Sequence, residues 1–296
     1  MDVATHATHD VDTFVRQAWR EHADATEAVA ARLDDGRALI TDPAQVAPFA
    51  SLAVHVLGEH LGRWHDGVAM LDRLAALDDG RSAALLARQR AMLRHMAGDA
   101  DALAPLDGAE RHAALALVAS TATGRGALTA AIDALRQSLD GLDDALPDDA
   151  PVWRAIAVAG NNLACSLEEL PSRSDAQVAA MLMAAEAGLR GWRRAGGWLE
   201  EERAQYRLAC SRLQAGQAEA ARDAARACLR VCQVNDAPAF ERFFAQAVLA
   251  LAERACGDEA ACLRAREAAA TERERLDDDE RRWTDDDWAR LANDAA

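Results

Sequence analysis

Lysine is missing from this chain: all 33 basic residues are arginine, a bias expected of coding from a GC-rich genome. Tyrosine occurs once and aromatics make up only 4% of the residues. Runs of Val, Ile, Thr and Tyr that would mark strands are lacking, which excludes a β-rich architecture. Long apolar runs are lacking too. The longest, such as 113–120 and 245–252, fall far short of the roughly 20 residues that span a bilayer. The opening residues, MDVATHATHD, have neither the basic nor the apolar region of a signal peptide. A reduced, cytoplasmic setting is therefore expected. There is no Walker-type loop, dinucleotide fingerprint, nucleophile elbow or histidine-glutamate zinc helix.

Positive charge is also in short supply. Against 33 basic residues stand 49 acidic ones, leaving a net charge of −16. Nucleic acid and anionic membranes attract basic faces, so neither is expected as a partner. Six cysteines, at 165, 210, 228, 232, 256 and 262, all fall in apolar helical stretches. They are expected to pack as small hydrophobes, since Cys228 and Cys232 sit one turn apart on one helix.

What is abundant is alanine, leucine, arginine and glutamate, the strong helix formers. With 51% hydrophobic residues over 296 positions there is apolar surface for a large core. A chain of this length strains the limit for a single core, so two domains or a repeat array are the natural options. Apolar positions at helical spacing recur between turn signals, predicting about 12 to 14 short-connected helices. The first is expected over about 10–33, with Phe14, Ala18 and Trp19 on one face. Asp42-Pro43 reads as a helix start. Residues 143–151, DDALPDDAP, form the clearest mid-chain boundary. They separate an irregular helical half (10–142) from a more regular one (151–276). Residues 1–9 are expected to be a flexible start. Residues 277–296 are expected to be an acidic, solvated tail with a short capping helix. There, Thr284 and Asp287 resemble a capping box, and Trp288 and Leu291 form a buried face.

Turns at Gly62, Gly98, Gly124, Pro171, Gly216 and Gly257 recur every few tens of residues, as in helical solenoids. A helix pair cannot bury both its apolar faces alone, so it stacks on the next pair. The best copy spans 198–234, with Leu208-Ala209, Gly216-Gln217, Ala221 and Cys228-Leu229 at motif spacing. This stretch resembles the tetratricopeptide repeat family. Asn161-Asn162-Leu163-Ala164 matches that family's common Asn-Leu-small run. Leu249-Ala250, Gly257 and Cys262 give a further copy, and Val54-His55, Gly62 and Trp64 a weaker one. The chain departs from the family at Arg212, where an aromatic is usual, and in drifting from a strict period of about 34 residues.

The resemblance implies an all-α, right-handed α-α superhelix whose first helices line a concave groove for a peptide. Motif alignment puts Asn161, Asn162, Cys165, Glu168, Arg203, Tyr206, Cys210, Phe244 and Leu251 on that face, with Arg154 one turn away. Asparagine can bond a ligand backbone through both its donor and its acceptor, and arginine can clamp a carboxylate. The expected function is a non-catalytic scaffold binding a protein or peptide partner. Alternatives are a regulatory sensor for a small peptide or metabolite and, further off, a helical enzyme with a scattered site. No catalytic residue and no cofactor is expected. His55, His60 and His65 lie near Glu59. A zinc-binding helix wants ligands three or four apart, and spacings of five separate successive histidines around an α-helix, so no metal is expected there. Asp277-Asp278-Asp279-Glu280 and Asp285-Asp286-Asp287 superficially resemble the magnesium-binding aspartates of helical prenyl-chain enzymes. Their place in a polar tail beside arginines favours solvated capping instead.

Overall fold

The computed structural model describes residues 10–292. The expectation of a flexible 1–9 concerns positions outside those residues. Within them the chain is all-α, with 15 α-helices, one 3-10 turn and one π-helix. Consecutive helices pack mainly on each other. Among the described residues no helix is long and apolar enough to cross a membrane. The fold divides into two compact units, at Asp144/Ala145.

Unit 1 begins with α1 (Val11–Glu21), α2 (Thr26–Ala31) and α3 (Leu33–Ala38). The single helix expected over 10–33 is thus broken. The Thr26 hydroxyl donates to the carbonyl of His22 at 2.6 Å, and Arg32 pairs with Glu21 at 2.5 Å. That reversal lets Phe14, Val29 and Leu33 all become buried, which one straight helix cannot do. Asp42 caps a 3-10 turn (Pro43–Gln45) by accepting from the Ala44 amide at 2.8 Å. Helix α4 (Val46–Val54) runs directly into the π-helix (His55–His60). Then follow α5 (Trp64–Ala75), α6 (Ala83–Met96), α7 (Gly108–Gly124) and α8 (Leu128–Leu139). Phe49, Leu52, Leu71, Leu74, Met92, Leu93 and Leu135 are buried in this unit. His112 and Ser138 fasten α7 to α8 reciprocally. The Ser138 hydroxyl donates to the His112 carbonyl at 2.8 Å, and His112 Nδ1 lies 2.9 Å from the Ser138 carbonyl.

The π-helix corrects one geometric expectation. Residues five apart diverge on an α-helix, but the wider i→i+5 turn brings them to one side. His55 and His60 consequently meet, Nε2 to Nε2, at 3.0 Å. The wide turn is held at both ends. The Leu61 amide reaches back to the Val56 carbonyl, and Arg125 donates to the His60 carbonyl at 3.2 Å. Gly58 allows close packing on α6, since a Cβ there would stand 2.8 Å from Leu93 Cδ2. Gly62 ends the segment at φ +65°, a conformation other residues resist.

Unit 2 contains α9 (Pro151–Glu168), α10 (Asp175–Ala195), α11 (Trp198–Gln214), α12 (Ala218–Val234), α13 (Ala239–Ala255), α14 (Glu259–Glu274) and α15 (Asp278–Ala292). Its first six helices form three antiparallel pairs. Helices α9 and α10 approach so closely that a Cβ on Gly160 would meet the Ala184 carbonyl at 2.5 Å, and one on Gly191 the Trp153 carbonyl at 2.5 Å. In the next two pairs the step from Gly216 to Gly257 is 41 residues, as is that from Ala218 to Glu259. That is longer than a tetratricopeptide period of about 34. Helices α11, α12 and α13 each have 17 residues, and this length sets the wider step. Arg212, where the family has an aromatic, bridges α11 to α12 by donating to the Ala220 carbonyl at 3.1 Å.

The acidic tail is helical over Asp278–Ala292, and its cap is not Thr284. Asp277 accepts from the Glu280 amide at 2.8 Å, and Glu280 returns a bond to the Asp277 amide at 3.2 Å. Thr284 sits inside α15, fully buried, its hydroxyl donating to the Arg281 carbonyl. Trp288 and Leu291 pack against α13, beside Phe243 and Leu251.

Candidate functional site

Helices α9, α11 and α13 are the first members of the three pairs in unit 2, and α11 contacts both of the others. One face of α11 therefore carries residues aimed at each neighbour. Arg207 and Ser211, one turn apart, converge on Glu168 of α9. The Glu168 carboxylate pairs with Arg207 and accepts from the Ser211 hydroxyl at 2.5 Å. The carboxylate is nearly dry at 7% exposure, so it needs both partners to remain charged.

On the other side, Arg203 clamps Glu241 of α13 with two nitrogens, at 2.6 and 3.4 Å. Glu241 is buried, while the Arg203 side chain remains 59% exposed. Next to that pair lies Glu202, only 1% exposed. It accepts the Cys228 thiol proton at 3.0 Å. Burial first, and then the neighbouring Glu241 carboxyl, push Glu202 up to about 7. Two carboxyls this close cannot both ionise cheaply, and it is Glu202 that is raised, while Glu241 holds Arg203.

The third neighbour is α15. The Tyr206 hydroxyl donates to Asp287 Oδ1 at 2.8 Å, and Asp287 also pairs with Arg290 at 3.3 Å. The Tyr206 ring stands edge-on to Phe244, 5.7 Å between centroids. Burial raises the Tyr206 phenol well above its ordinary value, so it acts as a neutral donor. Cys210, one turn further along α11, is buried, and that burial pushes its thiol up to about 11. Burial also raises Cys165. Both thiols stay protonated at neutral pH, unlike the thiolates of reactive cysteines.

Of the residues predicted for the groove, the structure joins Glu168, Arg203, Tyr206, Cys210, Phe244 and Leu251 along this face. Asn161 and Asn162 stand apart, bonded to each other at 3.3 Å. Arg154 lies over the Trp192 ring at 5.5 Å, at the edge of an open recess of about 420 Å³ that includes Asp148 and Arg194. In the same region Arg190 and Arg194 lie over the buried Trp153 ring, at 5.1 and 5.0 Å.

Sequence reasoning misses Arg207, Ser211, Glu202 and Glu241. A charged residue in the small-residue seam of a helix was the available signal for Glu202. It also misses Asp287, read as part of a solvated acidic run. That run contains Trp288 and Leu291 at helical spacing, and the same spacing turns Asp287 inward to 15% exposure.

The sequence matches no protein-family model and no curated protein. The reading of the site therefore rests on its geometry.

Proposed function

We propose that unit 2 is a non-catalytic binding module, a tetratricopeptide-like right-handed superhelix whose first-helix face receives a peptide segment of a protein partner. The observation that carries this reading is the seat of α15. An amphipathic helix of the chain itself lies against that face, anchored by Trp288 and Leu291 and oriented by the bond from Tyr206 to Asp287. A surface that accommodates one such helix has the shape and polarity for another. Arg203 adds an oriented cation, fixed at Glu241 yet largely exposed, suited to a ligand carboxylate. The protonated, buried Cys210 thiol and the paired Glu168 carboxylate favour recognition over catalysis.

Because α15 occupies part of the face, a ligand that displaces it would also change the presentation of α15. That favours a regulatory version of the same module, in which binding selects between seated and released α15. The test is selection of displayed peptides on the full-length chain, followed by affinity measurement on Arg203→Ala and Phe244→Ala variants. Peptides whose affinity falls at least tenfold in both variants support the reading. Peptides indifferent to both, or none selected, refute it.

A further inference from the structure

Unit 1 contains three imidazoles that the sequence order disguises. His22 caps the C-terminus of α1, and His55 and His60 bound the π-helix. Their ring centroids are 4.6 to 5.1 Å apart, and one nitrogen of each lies within 4.8 Å of the others. Which nitrogen faces inward is set by bonds made on the far side of two of the rings. His55 Nδ1 lies 2.5 Å from Glu59 Oε2, and His22 Nδ1 lies 2.8 Å from the Trp19 carbonyl. An oxygen acceptor at Nδ1 accepts a hydrogen bond from that nitrogen, which holds the ring proton there and leaves Nε2 with a lone pair. This is the outer-shell arrangement that orients histidine toward a metal ion. The third ring, His60, already presents Nε2 to His55 Nε2 at 3.0 Å. Two nitrogens bound to one tetrahedral ion, each about 2.0–2.1 Å from it, lie about 3.3 Å apart.

The surroundings point the same way. Trp19 packs on both His22 and His55, at 5.2 and 4.9 Å, and limits their rotation. His22 and His55 are half-buried, whereas His60 is exposed and can complete the set by a small ring movement. The π-helix is the element that brings a five-residue spacing to one point, and such segments recur at functional sites.

We propose that His22, His55 and His60 bind one divalent transition cation of the zinc class through their Nε2 atoms. Glu59 is the positioning residue that orients His55. Three neutral imidazoles suit zinc, nickel, copper or cobalt and disfavour magnesium and calcium, which prefer oxygen. The exposed side at His60 leaves a fourth position for water or an incoming ligand. The ion would tie the end of α1 to the π-helix.

The experiment titrates tag-free, full-length protein with Co²⁺, read by its visible absorption, and with Zn²⁺ in competition with a chromophoric chelator. Thermal melts accompany both. The expected result is one equivalent bound, tetrahedral or five-coordinate Co²⁺ bands, and a melting midpoint that rises with Zn²⁺. His60→Gln and His22→Gln should each weaken binding at least tenfold and abolish the rise while circular dichroism shows full helix content. Glu59→Gln should keep the stoichiometry and weaken affinity about 10- to 100-fold. His65→Gln, exposed and outside the cluster, should change nothing. Absence of a bound equivalent, or wild-type affinity retained in His60→Gln and His22→Gln, overturns the proposal.

Discussion

Tyr206 of α11 donates its hydroxyl to Asp287 of α15 across 2.8 Å, joining residues 81 positions apart in sequence. It is the polar half of the α15 seat, complementing the apolar contacts of Trp288 and Leu291. Removing it isolates the contribution of orientation from that of burial. Tyr206→Phe keeps the ring against Phe244 and leaves Asp287 with Arg290. The variant should lose about 1 kcal/mol, the net worth of one such bond. Amide hydrogen exchange should quicken in α15 and stay unchanged in α9 and α10. Uniform quickening across unit 2 would mean that the bond supports the whole unit rather than the seat of one helix.

The Glu168–Arg207 pair makes a sharper demand, because its carboxylate is almost dry and its arginine mostly covered. Replacing Glu168 by Ala strands a covered guanidinium and should cost about 3 kcal/mol or more in denaturant unfolding. Replacing both residues by Met should recover most of that loss, since the desolvation cost disappears along with the attraction. A double variant as unstable as the single one would show that Ser211 and its surroundings require the carboxylate itself.

Glu202 ties stability to pH. Its folded value is raised, to about 7 from an ordinary 4.5. Between those values the folded chain holds a proton that the unfolded chain has released. Stability from this residue is therefore full below about pH 4.5 and lost as pH rises through about 7. The swing is on the order of 3 kcal/mol. Glu202→Gln mimics the protonated form and should flatten the difference in unfolding free energy between pH 5 and pH 8 relative to wild type. An unchanged pH profile would place the proton elsewhere, and Glu241→Gln would then locate it.

The all-helical pairing could be read from the sequence because it depends on local signals. Gly216 and Gly257 mark turns, and Leu208, Ala209, Ala221 and Cys228 mark the seams between helices. The part of the face formed by Glu168, Arg203, Tyr206 and Phe244 followed from aligning those seams. The partners of these residues did not, because Arg207, Glu241 and Asp287 reach them across gaps of 38 to 81 positions. Nothing local distinguishes a buried carboxylate from a solvated one. The histidine cluster was hidden for a different reason. A five-residue spacing has meaning only once the backbone winds as a π-helix, and the Arg125 that bonds its far end lies 65 positions away.

The most direct test of the binding reading supplies the seat's present occupant from outside. A fluorescent peptide of residues 278–292 is titrated against wild-type chain and against a Trp288→Ser, Leu291→Ser chain whose own α15 is loosened. Linked in the same chain, α15 competes at high effective concentration, so wild type should bind the peptide at least tenfold more weakly than the loosened variant. Adding Phe244→Ala to the loosened variant should abolish binding. Equal binding to wild type and the loosened chain, or no binding to either, would contradict a first-helix face built to receive a helical segment.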